Sequence, residues 1–114
     1  GQSPSEVVGS LRGLLDKRDQ QLGPVPLLFL SVKPSLARWT IRERLERFNE
    51  LAKAEVLARQ ATRWLDVFHP MLEVRPSGRL RPSRSFLAED GLHLSPEGYG
   101  LWTRLIQECR DGVF

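Results

Sequence analysis

The run Val25-Pro26-Leu27-Leu28-Phe29-Leu30-Ser31-Val32 constrains the fold more than any other segment of the chain. It is continuously apolar and bounded by prolines, the pattern of a strand buried on both faces of a parallel sheet rather than of an edge hairpin. It is also far too short to cross a bilayer. A strand of this kind needs strands beside it and helices above and below it, so the flanking segments must supply an α/β arrangement.

They do so in a regular order. Val7, Val8, Leu11, Leu14, Leu15 and Leu22 fall at helical spacing, with Ser3 placed as N-cap, Pro4 as the first helical residue and Gly23-Pro24 as the stop. Between Arg38 and Arg59, Ile41, Leu45, Phe48, Ala52 and Val56 recur at three- and four-residue steps with arginine and glutamate between them. This spacing predicts a long amphipathic crossover helix. Trp64 to Phe68 reads as a second short strand, which closes a strand-helix-strand unit of the length that suits a right-handed parallel connection. Residues 69–89 contain His69-Pro70, Pro76-Ser77-Gly78 and Arg81-Pro82-Ser83 with little periodicity, and read as a long loop. Ser95-Pro96-Glu97 then starts a last helix, with Tyr99, Trp102, Leu105, Ile106 and Cys109 as its buried stripe and Gly112 at its end. About two strands and three helices result, and the first strand leaves an edge that they do not cover.

Composition narrows the function classes. With 40% hydrophobic and 27% charged residues the chain is globular in character. Its net charge of +3 comes from 17 basic residues interleaved with 14 acidic ones, so no face is set aside for phosphates and no nucleic-acid partner is expected. The single cysteine, Cys109, makes neither a disulfide scaffold nor a zinc module, and no metal or cofactor is expected. Gly1 is not a natural start, so the compartment stays open.

In an open parallel sheet, ligands bind beyond the carboxyl ends of the strands, and the loops after Val32 and Phe68 both leave from that end. The second leads to Asp90-Gly91-Leu92-His93. A histidine serves as general base toward a serine hydroxyl when an acceptor holds its other ring nitrogen and stabilises the imidazolium. An aspartate three residues earlier on a one-turn loop can reach Nδ1 of His93 and leave Nε2 outward, and Gly91 permits the tight or left-handed backbone this needs.

The run from Phe86 to Tyr99, with Asp90-Gly91-Leu92-His93-Leu94-Ser95-Pro96-Glu97-Gly98 at its centre and Trp102 and Leu105 after it, resembles the last sequence block of the SGNH (GDSL-type) hydrolase family. Pro26 to Val32 followed by Lys33-Pro34-Ser35 resembles that family's fourth strand and exit loop. The helix with Asn49 resembles its next crossover, and Trp64 to Phe68 its fifth strand. Residues 1–114 would then be the C-terminal part of a single domain. The resemblance implies a three-layer α/β/α, flavodoxin-like fold with a parallel sheet, and metal-free hydrolysis of carboxylic esters of lipid, acetyl-sugar or small acyl type. It makes His93 the general base and Asp90 its orienting acid. The family's Gly-Asp-Ser nucleophile block has no counterpart, because Gly1-Gln2-Ser3 precedes a helix with no strand before it. The oxyanion block with its asparagine would fall upstream of Gly1. These residues are therefore expected to be inactive until an N-terminal half supplies the serine.

Other candidates read more plainly. Ser31 and Ser35 flank Lys33, but a Ser-Lys dyad conflicts with the alternation of side chains along a strand. Lys33 is expected at the cleft mouth or at a helix cap, His69 as a turn residue with a satisfied ring, Asp66 as a structural residue inside a strand, and Trp39, Trp64 and Trp102 as packing. Arg75, Arg79, Arg81 and Arg84 suggest a solvated lid, with an anion-binding accessory domain as a weaker reading. The non-enzymatic alternative is a degenerate domain that binds a partner, or itself, through its open strand edge.

Overall fold

The computed structural model describes residues 3–23 and 25–111. The proposed stops at Pro24 and Gly112 lie outside them. The chain divides into two compact units, Gly1–Ser31 with Glu43–Trp64, and Val32–Arg42 with Leu65–Phe114.

The first unit contains helix α1 (Pro4–Gln21), strand β1 (Leu27–Leu30) and most of helix α2 (Arg42–Leu57) and of strand β2 (Thr62–Leu65). Ser3 caps α1 by accepting the Glu6 amide at 3.3 Å, and Pro4 takes the first helical position, where a missing N–H costs nothing. β1 and β2 pair side by side in parallel, joined by α2. The mixed α/β class is therefore that read from the sequence. Val8, Leu11 and Leu15 of α1 meet Ala52 and Val56 of α2 in the core, and Phe29 and Trp64 stack at 5.4 Å against it. Charge completes the packing: Arg12 bonds Glu55, and Arg59 bonds both Asp16 and Asp19.

Three expectations need correction in this unit. β1 spans four residues rather than eight, and all four are half-buried rather than enclosed on both faces. α2 starts at Arg42 after a 3₁₀ turn over Trp39–Ile41, which leaves Ile41 exposed. Leu14 of α1 and Leu22 at its C-cap are also exposed, and with Leu11, Leu15, Leu27 and Phe29 they line an apolar hollow of about 330 Å³.

The second unit holds helix α3 (Pro96–Arg110) and an antiparallel hairpin of β3 (Leu72–Val74) and β4 (Leu80–Pro82), paired Leu72 to Pro82, Glu73 to Arg81 and Val74 to Leu80. The segment 69–89 is thus not the structureless loop its composition suggests. Its strands are three residues each, too short for periodicity to register, and Gly78 at φ +86° closes the turn between them. β2 (Thr62–Leu65) ends three residues earlier than Trp64–Phe68 implies. The Asp66 carboxylate accepts the amides of Phe68 and His69 at 2.8 and 3.2 Å, which folds the chain into a turn where a strand would need those donors for its ladder. Val67 and Phe68 are buried all the same, as loop residues.

α3 follows its sequence signal at the start and departs from it along its length. Ser95 accepts the Gly98 amide at 3.1 Å and Pro96 occupies the first turn. The buried stripe is Gly98, Leu101 and Cys109 with Trp102 and Leu105 beside it, whereas Tyr99 is 61% exposed and Ile106 38%. Gly98 sets this rotation: a Cβ there would stand 2.2 Å from the Phe86 carbonyl oxygen, so only the glycine side of the helix can face that segment. Met71, Leu87 and Leu101 form the centre of this unit's core.

Candidate functional site

The Asp90–His93 turn is built from its ends inward. Leu87 and Leu94 form an isolated antiparallel bridge, the Ala88 amide donates to the His93 carbonyl at 2.7 Å, and the Gly91 amide donates back to Ala88 at 2.9 Å. Below it, Ser95 ties the strap to α3: its amide donates to Phe86 and its hydroxyl to Ser85, at 3.1 and 2.5 Å. Gly91 sits at φ +66°, the left-handed conformation anticipated for it, with its α-carbon packed where a Cβ would come within 3.2 Å of Leu36 Cβ.

Within this turn the carboxylate is shared between backbone and ring. Asp90 Oδ1 accepts the amides of Leu92 and His93 at 2.9 and 3.0 Å, and Oδ2 lies 2.5 Å from His93 Nδ1. The hydrogen bond from the imidazole, followed by those from the two amides, holds the Asp90 carboxyl well below the usual carboxylate range. Nδ1 therefore faces an acceptor that stays ionised, which fixes the ring tautomer with Nε2 as its free nitrogen. The His93 side chain is 75% exposed, so the pair stands open to solvent and contributes little as a surface ion pair. Its chemical capacity is to take a proton at Nε2 while a fixed anion balances the imidazolium.

The structure places the other candidates as follows. Ser31 and Ser35 are buried, and Ser35 Oγ accepts the Arg38 amide at 3.1 Å. The Lys33 ammonium donates to the Leu92 carbonyl, so it caps no helix and serves the Asp90–His93 loop instead. Trp39 stacks on Phe68 at 6.2 Å, and Trp102 Nε1 meets Met71 Sδ at 3.5 Å. Of the loop arginines, Arg81 pairs with Glu73 across the hairpin. Among the described residues no group of three or more His, Cys, Asp or Glu side chains gathers where it could hold a metal ion, and no helix is long and apolar enough to cross a membrane.

One feature escapes a reading of the sequence by single residues. Asp66 and His69 repeat the Asp-x-x-His spacing, and Asp66 Oδ2 lies 2.7 Å from His69 Nδ1. The signal was available in the spacing. The contacts of Lys33 and Ala37 with the 90–93 loop, by contrast, join residues more than fifty apart and leave no local trace.

No known family profile matches the chain, and neither does any curated protein. Among solved structures, a protein from Streptococcus pneumonia, provisionally described as a platelet activating factor, shares the fold at a TM-score of 0.74 and 17% identity. The similarity covers 92% of this chain and 50% of that one, so the chain spans half the length of the structure it matches.

Proposed function

We propose that these residues form the C-terminal part of an SGNH-type serine ester hydrolase, in which His93 is the general base and Asp90 the acid that orients it. The observation that carries this reading is the 2.5 Å contact between Asp90 Oδ2 and His93 Nδ1, made by an imidazole whose side chain is 75% exposed. The fold shared with the streptococcal protein supports it.

The chemistry runs through a serine carried by another segment of the domain. His93 Nε2 takes the hydroxyl proton as Oγ bonds to the ester carbonyl carbon, and the carbonyl π pair moves to oxygen. That pair then re-forms the carbonyl, the bond to the alkoxide breaks, and His93 returns the proton to the leaving oxygen. Water repeats the sequence on the acyl-enzyme, so one ester and one water give one acid and one alcohol. Throughout, Asp90 stays ionised beside Nδ1, held so by the hydrogen bond from the His93 ring and then by the two backbone amides. The test is hydrolysis of p-nitrophenyl acetate by the protein carrying both the nucleophile segment and these 114 residues. His93→Ala should lose three or more powers of ten in kcat, about the cost of removing a triad base. Unchanged turnover overturns the assignment.

A second reading has its own observation. β1 pairs only with β2 among the described strands, and the apolar hollow beside α1 exposes Leu14 and Leu22 at 65% and 67%. Such a face is covered by further polypeptide, whether the upstream half of the domain or a second copy of this chain. Light scattering on the 114-residue chain separates the two: a dimer favours a self-associating module, and a monomer that associates with an added N-terminal half favours the hydrolase.

A further inference from the structure

We propose that Lys33 is a positioning residue for the Asp90–His93 pair, acting through the peptide unit between Leu92 and His93. The effect on turnover rests on the hydrolase reading; the effect on the turn does not. The Lys33 ammonium donates to the Leu92 carbonyl, and the His93 amide, at the other end of the same peptide plane, donates to Asp90 Oδ1 at 3.0 Å. A peptide group is planar and its C=O and N–H point opposite ways, so binding both ends fixes the plane and with it the His93 α-carbon. Imidazole direction follows from that carbon, because Nδ1 is already held by Asp90 Oδ2.

The segment after β1 adds two further restraints on the same loop. The Ala37 amide donates to the Gly91 carbonyl at 3.0 Å, and Leu36 Cβ packs against the bare Gly91 α-carbon. Consecutive carbonyls, at 91 and 92, are thus held by Ala37 and Lys33. Of these, Lys33 is the one whose side chain does the holding, at an electrostatic cost: burial, and then the nearby Arg38, lower its pKa, and Asp90 opposes them. Lysine's apolar stem could pack equally well as methionine, so the retained charge is explained by the carbonyl it holds and the carboxylate beside it.

The test compares Lys33→Met with Lys33→Arg by amide hydrogen exchange. Lys33→Met should speed exchange at Leu92 and His93 about tenfold, with the α3 amides unchanged, because local opening and global unfolding are separable. Lys33→Arg should restore most of the protection. Unchanged exchange at those two amides overturns the proposal, as does a uniform rise across all amides, which would mark Lys33 as a plain packing contact. Should Lys33→Met fail to fold, the wild type decides: a resolved, slowly exchanging Lys33 ammonium signal supports the bond to Leu92, and one averaged with solvent lysines refutes it. In the hydrolytically complete protein, Lys33→Met should lower kcat about tenfold with KM within about twofold, the signature of a misplaced base. Loosened amides in a protein that hydrolyses no ester would leave the positioning role standing and remove the hydrolase reading. Loosened amides with wild-type kcat would remove the catalytic consequence.

Discussion

The molecule contains the same small machine twice. In Asp66–His69 and in Asp90–His93, one carboxylate oxygen accepts the amides two and three residues ahead, while the other meets the histidine Nδ1. The side chains are about equally open, His69 at 69% and His93 at 75%. An aspartate three residues before a histidine in a tight turn makes this dyad by local geometry, so the dyad alone is weak grounds for catalysis. The turns differ in what holds them. Asp66 ends a strand, and His69 enters a 3₁₀ turn with its ring edge against Phe68 at 5.3 Å. Asp90–His93 is closed by a backbone bridge, seated on the N-cap of α3, and restrained from outside by Lys33 and Ala37. A base that must meet a serine within a fraction of an ångström needs the second kind of support.

The sharpest way to break this comparison is to remove each base in turn. In the hydrolytically complete protein, His93→Ala should cost at least about a thousandfold in kcat and His69→Ala less than about threefold. Equal losses, or a larger loss at His69, would transfer the catalytic assignment to the first turn. The isolated 114-residue chain should hydrolyse p-nitrophenyl acetate no faster than its own His93→Ala variant.

The second test loosens the seat of one turn and leaves the other alone. Gly98→Ala would push a Cβ into the Phe86 carbonyl, which is backbone and cannot step aside as a side chain can. Overpacking of this sort costs about 1–3 kcal/mol, measurable as a lower thermal midpoint. Amide exchange should rise at Leu92 and His93 and stay as it was at Phe68 and His69. A smaller effect is expected at Gly91→Ala, where the left-handed backbone and the 3.2 Å approach to Leu36 together cost about 1–2 kcal/mol. Gly100→Ala, with open space around its Cβ position, is the control and should leave stability unchanged or slightly raised.

The support around the second turn also marks what the sequence could and could not reveal. Local features were legible because they are written in adjacent residues: the Ser3-Pro4 and Ser95-Pro96 helix starts, the alternation of helix and strand, and the glycine at 91. The end of β2 was misplaced because Asp66 was read as part of an apolar run, while its side chain takes the amides that would extend the ladder. The face of α3 was misplaced because Tyr99 and Ile106 are apolar enough to suggest burial, whereas a steric fact at Gly98 decides the rotation. Lys33 and Leu92 are 59 positions apart, and nothing in either neighbourhood announces their bond.

The smallest expected effect concerns acid. Because His93 and two amides depress the Asp90 pKa, the carboxylate favours the folded state wherever an unfolded aspartate is ionised, above about pH 3.9. That contribution is complete at neutral pH and is lost as the pH falls from that value through the lower folded one. Asp90→Asn removes the titrating group, so wild type should exceed it in stability at about pH 5, where an unfolded aspartate is ionised. The margin should narrow as the medium becomes more acid. Urea unfolding of both proteins at a series of pH values reads this directly. A margin that does not change on acidification would mean that the turn does not hold the carboxylate, and the ionised partner on which His93 depends would be lost with it.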